Sequence, residues 1–243
     1  MKKITLIFSI LLLSFNAWSQ SYVDSTGADR FASTRALDDF NSLKNNNVEE
    51  EETELENIKG SMYFNATFEE STVIFNGNPV EEKALLRYNS FKDEIEIGKN
   101  SNQKRPSNIL VKTINVEAQI GDEYFKPFAL NPKDKDKLTY LVKIYSDEQH
   151  KLYLHKMKKF VNEKPAPSGF GGSLPARFDD KFTLYYSSKA EGTPSILKVN
   201  KKSVLKLFPN HLSPLKGFIS ENNLKFKTYQ DVIFLFNNFT SLQ

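Results

Sequence analysis

The sequence predicts an α+β protein. Its main part is a mostly antiparallel, curved β-sheet or half-barrel of about eight or nine strands. A short N-terminal helix precedes the sheet, and two to three C-terminal helices pack on it. Three observations carry this. Short β-branched and aromatic runs alternate with turn formers from Gly60 to Val199. After Asn200 the apolar spacing changes from the two-residue strand period to that of a helix. Strands followed by a run of helices suit helices gathered on one face or end of an antiparallel sheet, and a sheet this long tends to curl.

The chain divides into 1–19, a signal peptide; 20–59, a polar segment with a short helix and an acidic linker; 60–200, the β-rich domain; and 201–243, the helical segment. Lys2 and Lys3 precede an apolar run from Ile4 to Leu13, and Ala17-Trp18-Ser19 puts small residues before Gln20. That is the layout of a cleavable secretory leader, with cleavage near Ser19–Gln20. The apolar run is half the roughly 20 residues needed to cross a bilayer. The expected location is therefore the periplasm or the extracellular space, with no transmembrane span in the mature chain.

Cysteine is absent, which removes thiol nucleophiles and thiolate metal sites and leaves stability to the core. The formal net charge is +3, unevenly spread. Residues 20–100 carry 8 Lys/Arg against 17 Asp/Glu, and residues 101–243 carry 23 against 13. A basic docking surface would produce this, but two halves that neutralise each other within one fold are the favoured explanation. Export and the lack of a recognition module argue against nucleic acid.

Ala36, Leu37, Phe40 and Leu43 lie at helical spacing behind Ser33 or Thr34, which predicts a helix over 35–43. Glu49 to Glu52 with Glu54 and Glu56 lack the spaced oxygens and Gly turn of a calcium loop and read as a solvated linker. The stretch from Ser71 to Lys99 predicts three strands. Thr72–Phe75 runs into Asn76-Gly77, whose tolerance of positive φ suits a type I′ hairpin. Ala84–Tyr88 follows, and then Glu94-Ile95-Glu96-Ile97 alternates, with one face expected apolar and the other wet. Ile109–Ile120 reads as one strand. Tyr124–Phe128 reads as an edge strand because of Pro127. Leu138–Tyr145, Leu152–Val161, a strand around Phe182–Tyr186, and Ile196–Val199 complete the sheet. Asn162–Arg177 is a breaker-rich loop. Asn200 or Ser203 caps a first C-terminal helix, Ser213-Pro214 opens a second, and Thr228 with Asp231 opens a third.

Gly60-Ser61-x-Tyr63, Leu86-Arg87-Tyr88-Asn89 with Asp93-Glu94-Ile95-Glu96, and Leu184-Tyr185-Tyr186 followed by Lys198–Leu207 together resemble a pattern in exported proteins of Bacteroidota for which no activity is known. The resemblance spans roughly residues 60–240. It implies export and transfers no mechanism.

The candidate chemistry is thin. Asp147, Glu148, His150 and His155 contain metal-ligating types, but two histidines an odd number of residues apart on one strand face opposite ways. No Gly-x-Ser-x-Gly elbow occurs, and Gly169-Phe170-Gly171-Gly172 lacks the Lys-Ser/Thr end of a phosphate loop. Glu94 and Glu96 share a strand face about 6–7 Å apart, a separation that a glycosidase uses and that any wet strand face also shows. Asn65 and Asn238 begin glycosylation sequons. No metal or cofactor is expected. Tyr88, Tyr145, Tyr185 and Tyr186 are the candidates for stacking on a ligand. Lys151, Lys156, Lys158, Lys159, Lys201 and Lys202 are the candidates for a basic surface. The expected function is that of a non-enzymatic envelope protein that binds or scaffolds a protein, glycan or lipid component. The alternatives are a carrier holding an apolar ligand in the cupped sheet and a hydrolase with a site near the Asn162–Arg177 loop.

Overall fold

The computed structural model describes residues 41–45, 58–131, 133–164, 174–189 and 192–239. The predicted leader and the acidic run lie outside these residues, as does most of the predicted N-terminal helix, of which Asn41 and Ser42 are helical.

Twelve strands form one antiparallel sheet. They are β1 (Lys44–Asn45), β2 (Glu69–Phe75), β3 (Asn78–Pro79), β4 (Ala84–Asn89), β5 (Glu94–Gly98), β6 (Asn108–Leu110), β7 (Val116–Ile120), β8 (Glu123–Phe128), β9 (Thr139–Ser146), β10 (His150–Val161), β11 (Arg177–Ser188) and β12 (Ser195–Ile196). The order is β1-β6-β5-β4-β2-β7-β8-β9-β10-β11-β12, with β3 added to β2. The count exceeds the predicted eight or nine because two two-residue strands, β1 and β3, carry no periodic signal and because Ile109–Ile120 divides in two. Between β6 and β7 the Val116 N–H reaches back to the Thr113 carbonyl, and Ile114 sits in that turn, 55% exposed.

Asn76 and Gly77 take φ of 52° and 79°, the left-handed pair that a type I′ turn requires. Pro127 does not mark an edge, since β8 lies between β7 and β9. Pairing with β7 ends at Phe125, so Pro127 is past the part of that ladder that needs its missing N–H.

The sheet curls into an open half-barrel. Tyr88 on β4 and Phe125 on β8 are three strands apart, about 14 Å in a flat sheet. Their ring centroids are 4.8 Å apart. The inner face is filled by its own side chains, among them Val73, Leu86, Ile95, Val116 and Ala118, none measurably exposed.

A second apolar cluster joins Leu152, Leu154 and Leu184 of β10 and β11 to residues of three helices, α1 (Lys201–Leu205), α2 (Leu212–Glu221) and α3 (Tyr229–Phe239). Asn200 Oδ1 caps α1 by accepting from the Ser203 N–H, at 2.9 Å. Asp231 accepts from the Lys227 N–H in the first turn of α3. Pro209, which the sequence reads as ending α1, begins a 3-10 turn, Pro209–His211, that leads into α2.

One irregularity sets which way Tyr145 faces. Leu152 pairs with Tyr145 but Tyr153 pairs with Lys143, so β9 carries one extra residue there. Strict alternation from Tyr140 and Val142 would turn Tyr145 away from the helices. The bulge turns Ile144 and Tyr145 both to the helical cluster, where the Tyr145 ring lies 5.3 Å from Phe236.

Candidate binding site

Strand β9 pairs with β10 only from Val142 to Ser146. Below that point β9 stays with β8, while β10 runs on to Val161 paired with β11. The two strands fork, and the β4–β5 turn, Ser90–Asp93, fills the fork. Its sequence dictates its shape. Asn89 Oδ1 accepts from the N–H groups of Phe91 and Lys92, an Asx turn. Asp93 takes a φ of 58°, which short polar side chains tolerate.

The turn then satisfies the backbone groups that the fork opens. The Ser90 carbonyl accepts from the Lys158 N–H of β10, at 3.0 Å. The Asp93 carboxylate accepts from the Tyr140 N–H of β9, at 3.2 Å. Asp93 also takes the Tyr88 hydroxyl at 2.8 Å and pairs with Lys112 at 3.1 Å. Burial and then Asp93 push the Tyr88 hydroxyl well above its ordinary pKa, so it serves as a proton-bearing donor. Phe91 covers the turn from outside against Phe178 and Phe160.

Behind the turn lies a buried ion pair. The hairpin register that aligns Asn89 with Glu94 also aligns Arg87 with Glu96. Both are 3% exposed. The guanidinium donates to Glu96 Oε2 from Nε at 2.9 Å and from Nη2 at 2.5 Å, and to the Ala66 and Lys104 carbonyls. It lies between the Tyr63 and Phe68 rings, 4.0 and 4.1 Å from their centroids. Glu96 also accepts from the Tyr63 hydroxyl and from Asn89 Nδ2. The predicted wet face of β5 is therefore a buried one. The Glu94/Glu96 pair does not present a free couple of carboxylates, because Glu96 is taken up by Arg87, Tyr63 and Asn89.

A cleft of about 380 Å³ opens between the ends of β2, β4, β7 and β8 and the side of β10. Phe64, Tyr88, Ile120 and Phe125 give it apolar walls. Asn65, Thr67, Glu69, Ser90, Glu123 and Lys156 give it polar ones, with Arg87 and Asp122. The Glu69 carboxylate accepts from Asn65 Nδ2 and lies over Gly121, where a Cβ would fall 2.6 Å from its Oε2. Lys156 reaches across from β10 to Glu123 on β8, at 2.5 Å. Ser90 is 1% exposed, and its hydroxyl has no hydrogen-bond partner among the described residues.

The predicted aromatic residues do not come together. Tyr88 is in the inner core and lines the cleft. Tyr145 and Tyr186 flank Leu152 under α3, where Tyr145 donates to Asp147 at 2.6 Å and the Tyr186 hydroxyl meets His150 Nδ1 at 2.8 Å. Tyr185 packs on the opposite face with Phe128, Leu141 and Tyr153.

The predicted lysines also separate. Lys151, Lys159, Lys201 and Lys202 are exposed. Lys156 and Lys158 fold down over the Phe64 ring, 4.9 and 4.1 Å from its centroid, and Lys158 pairs with Asp180 at 2.5 Å. His150 and His155 lie on opposite faces of β10, and burial lowers the pKa of each. Among the described residues no group of three or more His, Cys, Asp or Glu could hold a metal ion, and no helix is long and apolar enough to cross a membrane.

Sequence reasoning missed Ser90, Asn65, Glu69 and Glu123 as a group, because turns and strand ends that meet only through the curl leave no periodic trace. The Arg87–Glu96 pair was within reach. A four-residue turn after Asn89 fixes the register that sets the two residues opposite each other. Comparison with protein families, with curated proteins and with solved structures finds no match.

Proposed function

We propose that this chain is an exported, non-enzymatic protein of the cell envelope that acts by binding an envelope component through the cleft at the β9/β10 fork. The observation that carries this reading is the state of the ionisable groups there. Arg87 is matched to Glu96 and Lys156 to Glu123, so both cations of the cleft are tied in pairs. Groups held this way suit orienting a ligand rather than shuttling a proton, which needs a base or acid poised to change state. The volume is at the lower end of the range for small-ligand sites. An apolar ligand in the cupped sheet is disfavoured, because Val73, Leu86, Ile95 and Phe125 already occupy the inner face. The centre of the Asn162–Arg177 loop, where the hydrolase alternative places its site, lies outside the described residues.

In this reading the C-terminal helices buttress the sheet at the closed end of the fork, where β9 and β10 still pair. The cluster shared by Leu152, Leu154 and Leu184 with Val232, Leu235 and Phe236 supports that role. The leader at 1–19 and the resemblance to exported Bacteroidota proteins support the location, periplasmic or extracellular.

Native mass spectrometry of the mature protein purified from its own envelope tests the proposal. A co-purifying mass lost on denaturation is the expected result. A bare chain that also captures no partner on crosslinking would overturn the reading, as would a hydrolytic activity abolished by replacing an acidic or Ser residue of the cleft.

A further inference from the structure

The cleft has a charge balance that narrows what it can hold. Three carboxylates line it, Glu69, Asp122 and Glu123, against Lys156 and Arg87. Arg87 is neutralised from behind by Glu96 and Lys156 by Glu123. Among the described residues neither Glu69 nor Asp122 has a cationic partner, so two negative charges are left uncompensated. An anionic ligand would meet these two carboxylates with no free cation to offset them.

The Ser90 hydroxyl is a second, independent feature. It is buried, belongs to a residue that lines the cleft, and has no partner among the described residues. A buried hydroxyl without a hydrogen bond is costly, and a ligand hydroxyl that both donates and accepts removes that cost. Glu69 is held in place for the same task. Asn65 fixes one carboxylate oxygen, and the absence of a side chain at Gly121 makes room for the other.

We propose that the cleft binds a small hydroxylated amine of about one sugar ring, the simplest example being an amino sugar. Its ammonium group is taken by Glu69 and Asp122, and its hydroxyls by Ser90 and Asn65. This rests on the binding reading above and deepens it to a ligand class. An amine is favoured over a neutral sugar by the uncompensated carboxylates. A hydroxylated amine is favoured over a bare alkylamine by Ser90.

Isothermal titration calorimetry of the mature protein with glucosamine, N-acetylglucosamine and glucuronate tests it. Glucosamine should bind saturably. N-acetylglucosamine, which lacks the ammonium charge, should bind about tenfold to a hundredfold more weakly, the range of one charge-assisted hydrogen bond. Glucuronate should not bind. Glu69→Gln keeps an acceptor for Asn65 and should weaken glucosamine binding by about tenfold or more with the melting temperature unchanged. Asp122→Asn, on an exposed turn, gives the same readout if Glu69→Gln proves unstable, and Ser90→Ala should weaken glucosamine and N-acetylglucosamine binding alike. Equal affinities for the amine and its acetylated form would overturn the proposal. So would unchanged binding in the Glu69→Gln or Asp122→Asn variant, or no saturable heat with glucosamine. A co-purifying neutral glycan in native mass spectrometry would overturn the amine preference and leave the binding reading standing. Failure of both experiments removes both.

Discussion

Removing the Arg87 guanidinium tests how the outer layer over β4 and β5 is held. Arg87→Met keeps most of the side-chain volume between the Tyr63 and Phe68 rings. It removes both hydrogen bonds to Glu96 and the donors to the Ala66 and Lys104 carbonyls. Glu96, 3% exposed, is left as a buried carboxylate with only Tyr63 and Asn89 as donors. Removing one partner of a buried pair costs about 3–5 kcal/mol, whereas removing both costs much less than the sum. Arg87→Met should therefore lose about 3–5 kcal/mol. For a chain of this size that lowers the melting temperature by about 6–20 °C at 2–4 °C per kcal/mol. Arg87→Met combined with Glu96→Leu should recover part of the loss. Urea unfolding read by far-ultraviolet circular dichroism suits this comparison, since the single Trp is Trp18, inside the predicted leader. A single variant within about 1 kcal/mol of the wild type, or a double variant that is strictly additive, would show that the pair is not what fixes this layer.

Gly98 faces the same layer. A Cβ there would fall 2.7 Å from Phe68 Cγ, so Gly98→Ala must displace the ring on which Arg87 rests and should cost about 1–3 kcal/mol by the same denaturation assay. Phe236→Ala removes a ring with no measurable exposure that touches Tyr145, His150, Tyr186 and Phe208, and should lower stability by about 3–5 kcal/mol. Stability should also fall as the pH is lowered through about 6.5, the unfolded histidine value. Burial lowers the folded pKa of His150, against the pull of Asp147, and that of His155, which faces Asp93, Lys181 and Lys112. The unfolded chain thus binds more protons across that window, and the contribution present above it is lost on acidification. Replacing both histidines should flatten stability against pH below about 6.5. Asp147 has a lowered pKa because hydrogen bonds from Tyr145, His150 and Gln149 outweigh its burial, and its contribution is lost only at lower pH, below the ordinary aspartate value.

Much of the sheet was legible because strands and turns are local. Asn76-Gly77, the Glu94–Ile97 alternation and the Asn200 cap each act through neighbours a few residues away. What failed had distant causes. Pro127 reads as an edge residue until the extent of the β7–β8 pairing is known. Ile114 continues an alternating pattern that the backbone abandons one turn earlier. Glu96 reads as wet until Arg87 and the 58–68 segment cover it. The extra residue in β9 that turns Tyr145 to the helices gives no signal in composition. The cleft was illegible for the same reason. It is assembled from a strand start, two turns and the flank of β10, which only the curl brings together.

The turn that fills the fork also orders events in time. Strands β10 and β11 can zip from a local connection, and so can β4 and β5. The Ser90–Lys158 bond instead joins parts of the chain separated by the whole of β5 through β9. The loop it closes carries an entropic cost that grows with its length and is offset only when both hairpins already exist. That joint is expected to form late in assembly and to open early. The cleft is then a property of the finished fold alone, and a chain released from folding early would carry its strands but lack the cleft.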